Sequence, residues 1–353
     1  MTTATRTGND EHVTCKSWDE VSVDDALPEL RYPITLKTLL LQSVGNRDFF
    51  PYHHNRDFTQ KLGIRDAFVN TTFFQALFGR YVTDWSGPES VLVSMTLRMR
   101  DQLCPGDTAI VAGRVTDRSA DTTRALVTVD LDLHNEHGPV ASCTVVLVMP
   151  SADLGPVVVQ MPPAAPEPQR LDGTPEQAIA ELGRRIERDG PYPVSEAQIM
   201  YWCEMVRDGH PGYVDGDFAT SHGGVVAPAQ SLIMWAQPRA TQMGLDWDHP
   251  DVDLPDQRPW PEPAGGRPFE FRVTGTTDII VQDVHCEFGE PLRPGDRVTA
   301  SCELISCSGL KRTRLGDGYF VTSLEVYRNQ HGTVVGHTVM TMLQYGPPPS
   351  DRQ

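Results

Sequence analysis

Apolar and polar positions divide the first part of the chain into two helical stretches followed by alternating segments. Residues 36–45 are largely apolar behind Thr35, a residue type that caps helices, and predict a short, mostly buried helix. Residues 67–81 are apolar nearly all round, which predicts a buried helix with Asn70 as its cap. Residues 90–149 alternate β-branched and polar residues between turns, as strands of an antiparallel sheet do. A buried helix beside such strands predicts a sheet that wraps around the helix.

The same order of elements returns after a segment rich in Pro, Ala and Val, which is typical of a linker. Residues 175–188 predict an exposed charged helix, and a second buried helix is expected within residues 227–236, again followed by strands. The predicted segments are a polar tail (1–20), a first half (21–150), the linker (151–173), a second half (174–347) and a short tail (348–353).

Specific motifs indicate that the second half repeats the first. Residues 192–195 (Tyr-Pro-Val-Ser) match residues 32–35 (Tyr-Pro-Ile-Thr) at an offset of 160 positions. Residues 292–296 (Leu-Arg-Pro-Gly-Asp) echo residues 103–107 (Leu-Cys-Pro-Gly-Asp) at an offset of 189. The growing offset places roughly thirty extra residues in the second half, and the Pro- and Asp-rich stretch 246–267 is expected to hold them. Two copies of one fold are therefore predicted.

The stretch between the first two helices carries the residues best suited to chemistry. Asp48 and His53 stand five positions apart on either side of Pro51, an interval that does not make neighbours on a helix. Pro51 favours an extended residue before it, so Asp48 is expected at a helix end and His53 on the loop beyond. An acid and an imidazole aimed into one pocket suit proton transfer to carbon. At the offset of 160, Asp208 repeats the acid but Tyr213 replaces the histidine, which favours a duplicated enzyme with one active site over a solvated loop.

Composition and charge narrow the function classes. A chain of 353 residues suits two domains, and a formal charge of −17 argues against nucleic acid or an anionic membrane as a partner. The seven cysteines form no C-x-x-C pair, which favours reduced thiols and a cytoplasmic location. The N-terminus has no apolar signal segment, and no apolar run reaches membrane-spanning length. The histidines are too scattered along the chain to predict a metal site.

The segment Asp48-Phe49-Phe50-Pro51-Tyr52-His53 resembles the D-x-N-P-I-H signature of the MaoC-like dehydratases, the R-specific or type 2 enoyl-CoA hydratases. Residues 47–85 look most similar to the small hydratase subunits of actinobacterial steroid side-chain degradation, and residues 292–332 resemble the non-catalytic hotdog that partners them. The resemblance covers residues 25–347. It implies an α+β double hotdog, in which two antiparallel sheets each wrap a central helix, with a catalytic and a non-catalytic half fused in one chain.

The resemblance also implies a reaction: Asp48 and His53 would share one water and add it to, or remove it from, a 2-enoyl-CoA thioester on one face. Which of the two is the acid is left open, and neither a metal nor a cofactor is expected because CoA is part of the substrate. The backbone N–H groups expected to polarise the thioester carbonyl are those of Val69, Asn70 and Thr71. The expected substrate contacts are Phe50, Pro51, Tyr52 and His54. The residues expected to bind the CoA phosphates are Lys311, Arg312 and Arg314, with Arg98 and Arg100 as a second group.

Two departures from the signature affect the predicted substrate. The signature's asparagine is Phe50 here, and the acid that follows its histidine is Asn55. Because a phenylalanine suits a large apolar group, a bulky, possibly steroid-like acyl-CoA is the leading prediction. A dehydratase or cyclase that tailors a polyketide or another natural product on the same fold is the alternative that the residues leave open, together with a carrier-protein thioester in place of CoA. Exposed strand edges leave room for a homodimer.

Overall fold

The computed structural model describes residues 15–61, 63–239 and 271–346 of the chain. The helices are α1 (Leu36–Gly45), α2 (Arg56–Lys61), α3 (Thr71–Ser86), α4 (Glu176–Glu181), α5 (Glu196–Val206), α6 (Asp217–Ser221) and α7 (Leu232–Trp235). The strands are β1 (Ala26–Pro33), β2 (Val91–Met99), β3 (Thr108–Ala120), β4 (Ala125–Asn135), β5 (Gly138–Val148), β6 (Ile186–Asp189), β7 (Asp278–Phe288), β8 (Thr299–Cys307), β9 (Lys311–Arg312), β10 (Asp317–Arg328) and β11 (Val334–Tyr345). Short 3₁₀ turns are formed by Trp18–Glu20, Pro51–His53, Pro211–Tyr213 and Ala229–Ser231.

These strands form one antiparallel sheet in the order β1-β3-β4-β5-β2-β7-β11-β10-β8-β6, with β9 beside β10. The first five strands in this order come from the first half of the chain and the others from the second half. The halves join where β2 pairs with β7, with Thr96 opposite His285 and Arg98 opposite Asp283. The architecture is the predicted α+β double hotdog, with its two sheets continuous across the junction.

The five strands of the first half curve around α3. Asn70 caps this helix as predicted, because its side chain accepts a hydrogen bond from the Phe73 N–H at 2.9 Å. The helix continues past its predicted end to Ser86, and Gly87 follows it with φ 88°. Phe73 and Phe78 have no exposed surface. The apolar stretch is therefore core, and the N-terminus of the helix is the part that meets the loop with Asp48.

Backbone hydrogen bonds show the repeat directly. The Ile34 N–H donates to the Asp107 carbonyl at 2.8 Å in the first half, and the Val194 N–H donates to the Asp296 carbonyl at 2.8 Å in the second half. Helices α1 and α5, which begin 160 positions apart, pack against each other. The predicted duplication is thus visible in the hydrogen bonds as well as in the residues.

The second half departs from the prediction at two places. The helix expected over residues 175–188 ends at Glu181, and Ile186–Asp189 forms β6 instead. Strand pairing overrides the charged pattern there, because β6 pairs with β8 as β1 pairs with β3. The helix expected within residues 227–236 is a 3₁₀ turn followed by the single turn α7. Pro238 disfavours helical backbone at the residue before it, which limits α7 at its C-terminal end.

The predictions for residues 1–14, for the stretch 246–267 and for the tail 348–353 lie outside the described residues. The exact segment boundaries stay predictions. All seven cysteines are free thiols, as predicted, and all except Cys15 are buried. Across the described ranges, none of the helices is long and apolar enough to cross a membrane.

Candidate active site

The loop after α1 brings Asp48 and His53 together. Helix α1 ends at Gly45, and the Asn46 side chain accepts the Asp48 N–H at 3.2 Å. Arg47 lies between them with φ 60°, a left-handed conformation that turns the chain sharply. A 3₁₀ turn then leads to His53. Asp48 is therefore in the loop itself, just beyond the helix end where the sequence had placed it.

The geometry of this pair is tightly defined. The His53 Nε2 atom lies 3.5 Å from Asp48 Oδ2, and the two side chains are 10% and 13% exposed. His53 Nδ1 lies 2.8 Å from the Phe68 carbonyl oxygen, so Nδ1 donates its proton there and Nε2 faces the acid. Asp48 Oδ1 accepts the Phe50 N–H at 3.2 Å, and Asp48 Oδ2 accepts from Asn70 Nδ2 at 3.0 Å. These contacts hold both side chains in the orientation that an acid–base pair needs.

A buried polar network behind the pair is the part of the site that sequence reasoning missed. Asn46 Nδ2 donates to Asn70 Oδ1 at 2.8 Å and to Thr72 Oγ1 at 2.9 Å. Gln42 Oε1 accepts the Asn70 N–H at 3.0 Å, and Gln42 Nε2 donates to the Phe68 carbonyl at 3.3 Å. The network joins the end of α1 to the start of α3 and so holds the groups that orient the pair. Its one sign in the sequence is an amide, Gln42, inside a largely apolar helix.

The predicted oxyanion donors need a correction. The Val69 N–H donates to the Leu103 carbonyl at 3.0 Å, and the Asn70 N–H donates to Gln42 at 3.0 Å, so neither is available to a substrate. Thr71 is the first residue of α3, and helix geometry leaves its N–H without an intrahelical acceptor. The partial positive charge of the helix N-terminus also lies there. Thr71 is the predicted donor that the structure leaves available.

The predicted substrate contacts lie on the same loop as the pair, and two of them also have structural tasks. Pro51 is buried at the start of its 3₁₀ turn. The Tyr52 ring packs edge-on against Phe58 with centroids 5.0 Å apart. Asn55, which replaces the signature's acid, is buried and caps α2 by accepting the Phe58 N–H at 2.9 Å. The remaining two predicted contacts, both partly exposed, are Phe50 and His54.

The equivalent loop in the second half keeps the turn and lacks the acid–base pair. Asp208 Oδ1 accepts the His210 N–H at 3.0 Å, as Asp48 Oδ1 accepts the Phe50 N–H in the first half. Burial raises the pKa of Asp208 to about 6 and lowers the pKa of His210 to about 4. Tyr213 stands where the first half has its histidine, and its ring stacks on His210 with centroids 4.4 Å apart. Burial raises the pKa of Tyr213 well above its ordinary value, so it is a poor proton donor here.

Strand pairing places both groups of predicted CoA ligands at the same end of the sheet. The carbonyl of Leu103, just after β2, accepts a hydrogen bond from the Val69 N–H next to Asn70. On the other side, Lys311 pairs with Gly318, and Gly318 pairs with Tyr345. Burial raises the pKa of Tyr345, and the charges of Asp278 and Tyr52 raise it further.

Their charges differ in availability. Arg98 forms an ion pair with Asp283 at 3.0 Å, and Arg312 forms one with Asp317 at 3.7 Å. Within the described residues, the remaining three form no ion pair: Arg100, Lys311 and Arg314. By strand spacing the two groups are about 19 Å apart, so one phosphate cannot contact both. Among the described residues, the β9 turn, which comprises β9 and the residues after it up to Gly316, carries two cations without an ion pair, Lys311 and Arg314, whereas the β2 group has only Arg100.

One group of potential metal ligands is found in the described ranges: Asp107, Glu136 and His137. Its buried member, Asp107, is already bonded by both terminal nitrogens of Arg65, by Asn135 Nδ2 at 3.1 Å and by the Cys104 N–H at 2.9 Å. A cation there would have to displace an arginine. The cluster therefore reads as a structural anchor for the turn before β3.

Comparison with known proteins gives independent findings. Residues 180–338 match the FAS1-like dehydratase domain region. An enoyl-CoA hydratase alpha subunit of Thermomonospora curvata is 31% identical over 176 residues, which are 48% of this chain and 50% of that protein. The beta subunit of the 3-oxo-4,17-pregnadiene-20-carboxyl-CoA hydratase of Mycobacterium tuberculosis is 34% identical over 127 residues, which are 36% of this chain and 95% of that subunit. The alpha subunit of that hydratase is 32% identical over 149 residues, 42% of this chain and 40% of that subunit.

Solved structures agree on the fold. A MaoC domain protein dehydratase of Chloroflexus aurantiacus superposes with a TM-score of 0.65 at 13% identity, covering 96% of this chain and 99% of that chain. A double hotdog protein of Mycobacterium tuberculosis superposes with a TM-score of 0.60 at 14% identity, covering 94% of this chain and 99% of that chain.

A continuous sheet of two hotdogs with one acid–imidazole site at a helix N-terminus defines the hotdog class of hydratases and dehydratases. The chain belongs to the MaoC-like dehydratase family, which includes the R-specific enoyl-CoA hydratases. It spans half of one alpha subunit that it matches and 40% of the other.

Proposed function

We propose that the chain catalyses the reversible syn addition of water to a 2-enoyl-CoA thioester at Asp48 and His53. The observation that carries this proposal is the pair itself, 3.5 Å apart and largely buried, with the far ring nitrogen of His53 bonded to a backbone carbonyl. The names of the curated relatives, which are enoyl-CoA or pregnadiene-carboxyl-CoA hydratase subunits, support the same reaction class.

In this mechanism one water is hydrogen-bonded to both Asp48 Oδ2 and His53 Nε2. One of the two groups takes a proton from the water while the other delivers a proton to the α-carbon, and the coupled pair titrates as a unit. As oxygen attacks the β-carbon, negative charge develops on the thioester oxygen. The Thr71 N–H and the N-terminal dipole of α3 stabilise that charge. Both proton transfers lie within reach of the pair, so the proposal requires neither a metal nor a cofactor.

We place a bulky, steroid-like acyl group at this site, with its CoA phosphates at the β9 turn. The substrate named for the Mycobacterium tuberculosis relative, a pregnadiene-carboxyl-CoA, supports this acyl class. Phe50 beside Asp48 presents an aromatic ring where the family signature has an amide, which suits an apolar substrate. A homodimer remains part of the proposal and is tested by light scattering.

The test is hydration of a panel of 2-enoyl-CoAs, from crotonyl to steroid side-chain thioesters. Asp48→Asn and His53→Ala are expected to lose about 10²- to 10⁴-fold in kcat, the usual contribution of a general acid or base. Tyr213→Phe, the matched change in the second half, is expected to keep most of the activity. A wild-type protein that hydrates no member of the panel would refute the proposal.

The CoA site is tested separately. Removing one unpaired charge at the β9 turn, Lys311→Ala or Arg314→Ala, is expected to raise KM by about 5- to 10-fold, the value of one charge-assisted contact. The same variants should behave as wild type with a pantetheine thioester, which lacks the nucleotide phosphates. Lys37→Ala, an exposed lysine on α1, is the control. An equal rise in KM with both thioesters would exclude phosphate binding at this turn.

A further inference from the structure

The residue before Asp48 makes a contact that the proposed reaction does not use. Arg47 Nη1 donates to the Met234 carbonyl at 3.4 Å, and Arg47 Nη2 donates to the carbonyls of Gln237 at 3.4 Å and Pro238 at 3.2 Å. All three acceptors lie in the second half, at the C-terminal end of α7. One guanidinium can reach several carbonyls because its N–H groups form a fixed, planar fork.

A second contact holds the same side chain. The Arg47 guanidinium lies over the Tyr192 ring, 5.0 Å from its centroid, and Tyr192 also belongs to the second half. Among the described residues no carboxylate pairs with Arg47. Its guanidinium is held by neutral groups, three carbonyls and one aromatic ring, which fix its orientation. Burial lowers the pKa of Arg47, as expected of a guanidinium without a carboxylate partner.

We propose that Arg47 is a positioning residue through which the second half sets the orientation of Asp48. The side chain is anchored on one half, whereas the backbone of the same residue makes the left-handed turn that directs Asp48 towards Asn70. Removing the side chain releases the loop from the second half, so that Arg47 no longer fixes the direction in which the Asp48 carboxylate points. The kinetic part of this inference rests on the proposed hydratase activity.

The repeat supplies a matched control. Arg207 precedes Asp208 as Arg47 precedes Asp48, has φ 59°, and lies over Tyr32 at 5.0 Å from the ring centroid. Its side chain is exposed, and in the described ranges its guanidinium has no hydrogen bond to a main-chain carbonyl of the first half. The two arginines thus share a conformation and a stacking contact and differ in the carbonyl anchor and in their distance from the acid–base pair.

The experiment compares Arg47→Lys and Arg47→Ala with Arg207→Lys and Arg207→Ala in the full chain. With the enoyl-CoA that wild type hydrates best, Arg47→Ala should lose about 10- to 100-fold in kcat, as expected for a catalytic group displaced by about 1 Å. KM should change little, and Arg47→Lys should fall between wild type and Arg47→Ala. The Arg207 variants should keep wild-type kcat, and their Tm values should shift by less than those of the Arg47 variants because Arg207 makes no carbonyl bonds to the first half in the described ranges.

Crystal structures of the two alanine variants test, independently of activity, whether Arg47 orients Asp48. The 3.0 Å contact between Asp48 and Asn70 should be lost in Arg47→Ala and kept in Arg207→Ala. Retention of this contact in Arg47→Ala, or equal losses of kcat at positions 47 and 207, would overturn the inference. A wild-type protein without hydratase activity would overturn the proposed function, and the structures would still decide the role of Arg47.

Discussion

Asn70 performs two tasks that one substitution can separate. Its Oδ1 atom caps α3 through the Phe73 N–H, and its Nδ2 atom donates to Asp48 Oδ2 at 3.0 Å. Asn70→Asp keeps the capping oxygen and replaces the donor with a carboxylate oxygen beside another carboxylate. The cap, worth about 1 kcal/mol, is retained. The lost hydrogen bond to a charged group is worth about 1.5–3 kcal/mol, and its acceptor is the Asp48 carboxylate of the proposed pair.

The expected result follows from these magnitudes. The kcat of Asn70→Asp should fall by about 10- to 100-fold, which corresponds to about 1.4–2.7 kcal/mol of barrier. Two carboxylates this close share one proton, so the limb of the pH–rate profile that reports the ionisation of Asp48 should move up by at least about 1 pH unit. Steady-state hydration kinetics across pH and urea denaturation of the same protein measure the two effects.

Capping alone is controlled by Ser195, whose Oγ atom accepts the Gln198 N–H at 3.3 Å and caps α5 without touching Asp48. Ser195→Ala should lose about 1 kcal/mol of unfolding free energy and keep wild-type kcat. Asn70→Asp with a wild-type pH profile and kcat would refute the role assigned to Asn70. So would a loss of activity in Ser195→Ala as large as that in Asn70→Asp.

Two further predictions concern stability. Burial raises the pKa of Asp208 from 3.8 to about 6, so the folded state binds this proton more tightly than the unfolded state does. The free energy of unfolding of wild type therefore falls as the pH rises from about 4 to about 6, and it stays lower above that range. By urea denaturation, Asp208→Asn should therefore gain on wild type by up to about 3 kcal/mol between about pH 4 and about pH 7, and a difference that does not change with pH would contradict this. A Cβ atom at Gly45 would lie 2.8 Å from the Tyr201 carbonyl oxygen. Gly45→Ala should thus cost about 1–3 kcal/mol by overpacking, although alanine favours helices by up to about 1 kcal/mol; a raised Tm would refute the close packing of α1 on α5.

Repetition made the fold predictable from the sequence. The match of residues 32–35 to residues 192–195 doubled the evidence for each element, and the capping residues Thr35 and Asn70 marked the starts of α1 and α3 correctly. The errors arose where tertiary contacts override the local sequence pattern. The charged pattern of residues 186–189 favours a helix, but these residues form strand β6 because they pair with β8. Pairing across more than a hundred positions cannot be read from a window of a dozen residues.

The candidate site was predictable only where its residues are close in sequence. Asp48 and His53 lie on one loop, so their spacing was informative. The groups that orient them come from other elements: the Phe68 carbonyl, Asn70 at the start of α3 and Gln42 on α1. The loss of two predicted oxyanion donors has the same cause, because their N–H groups are used by partners that only the folded chain brings near.

The two halves together assign different tasks to the two oxygens of the acid. Oδ1 accepts the N–H two residues on in both copies, at 3.2 Å for Asp48 and 3.0 Å for Asp208. Oδ2 of Asp48 meets Asn70 and His53, whereas Oδ2 of Asp208 has no hydrogen-bond partner among the described residues. The bond that both copies share holds the turn, which explains why the second half retains a buried acid without a histidine at the position that matches His53. The bonds that only the first half makes are those of the proposed chemistry. Since the turn itself does not depend on the histidine, the matching position in the second half can be occupied by Tyr213.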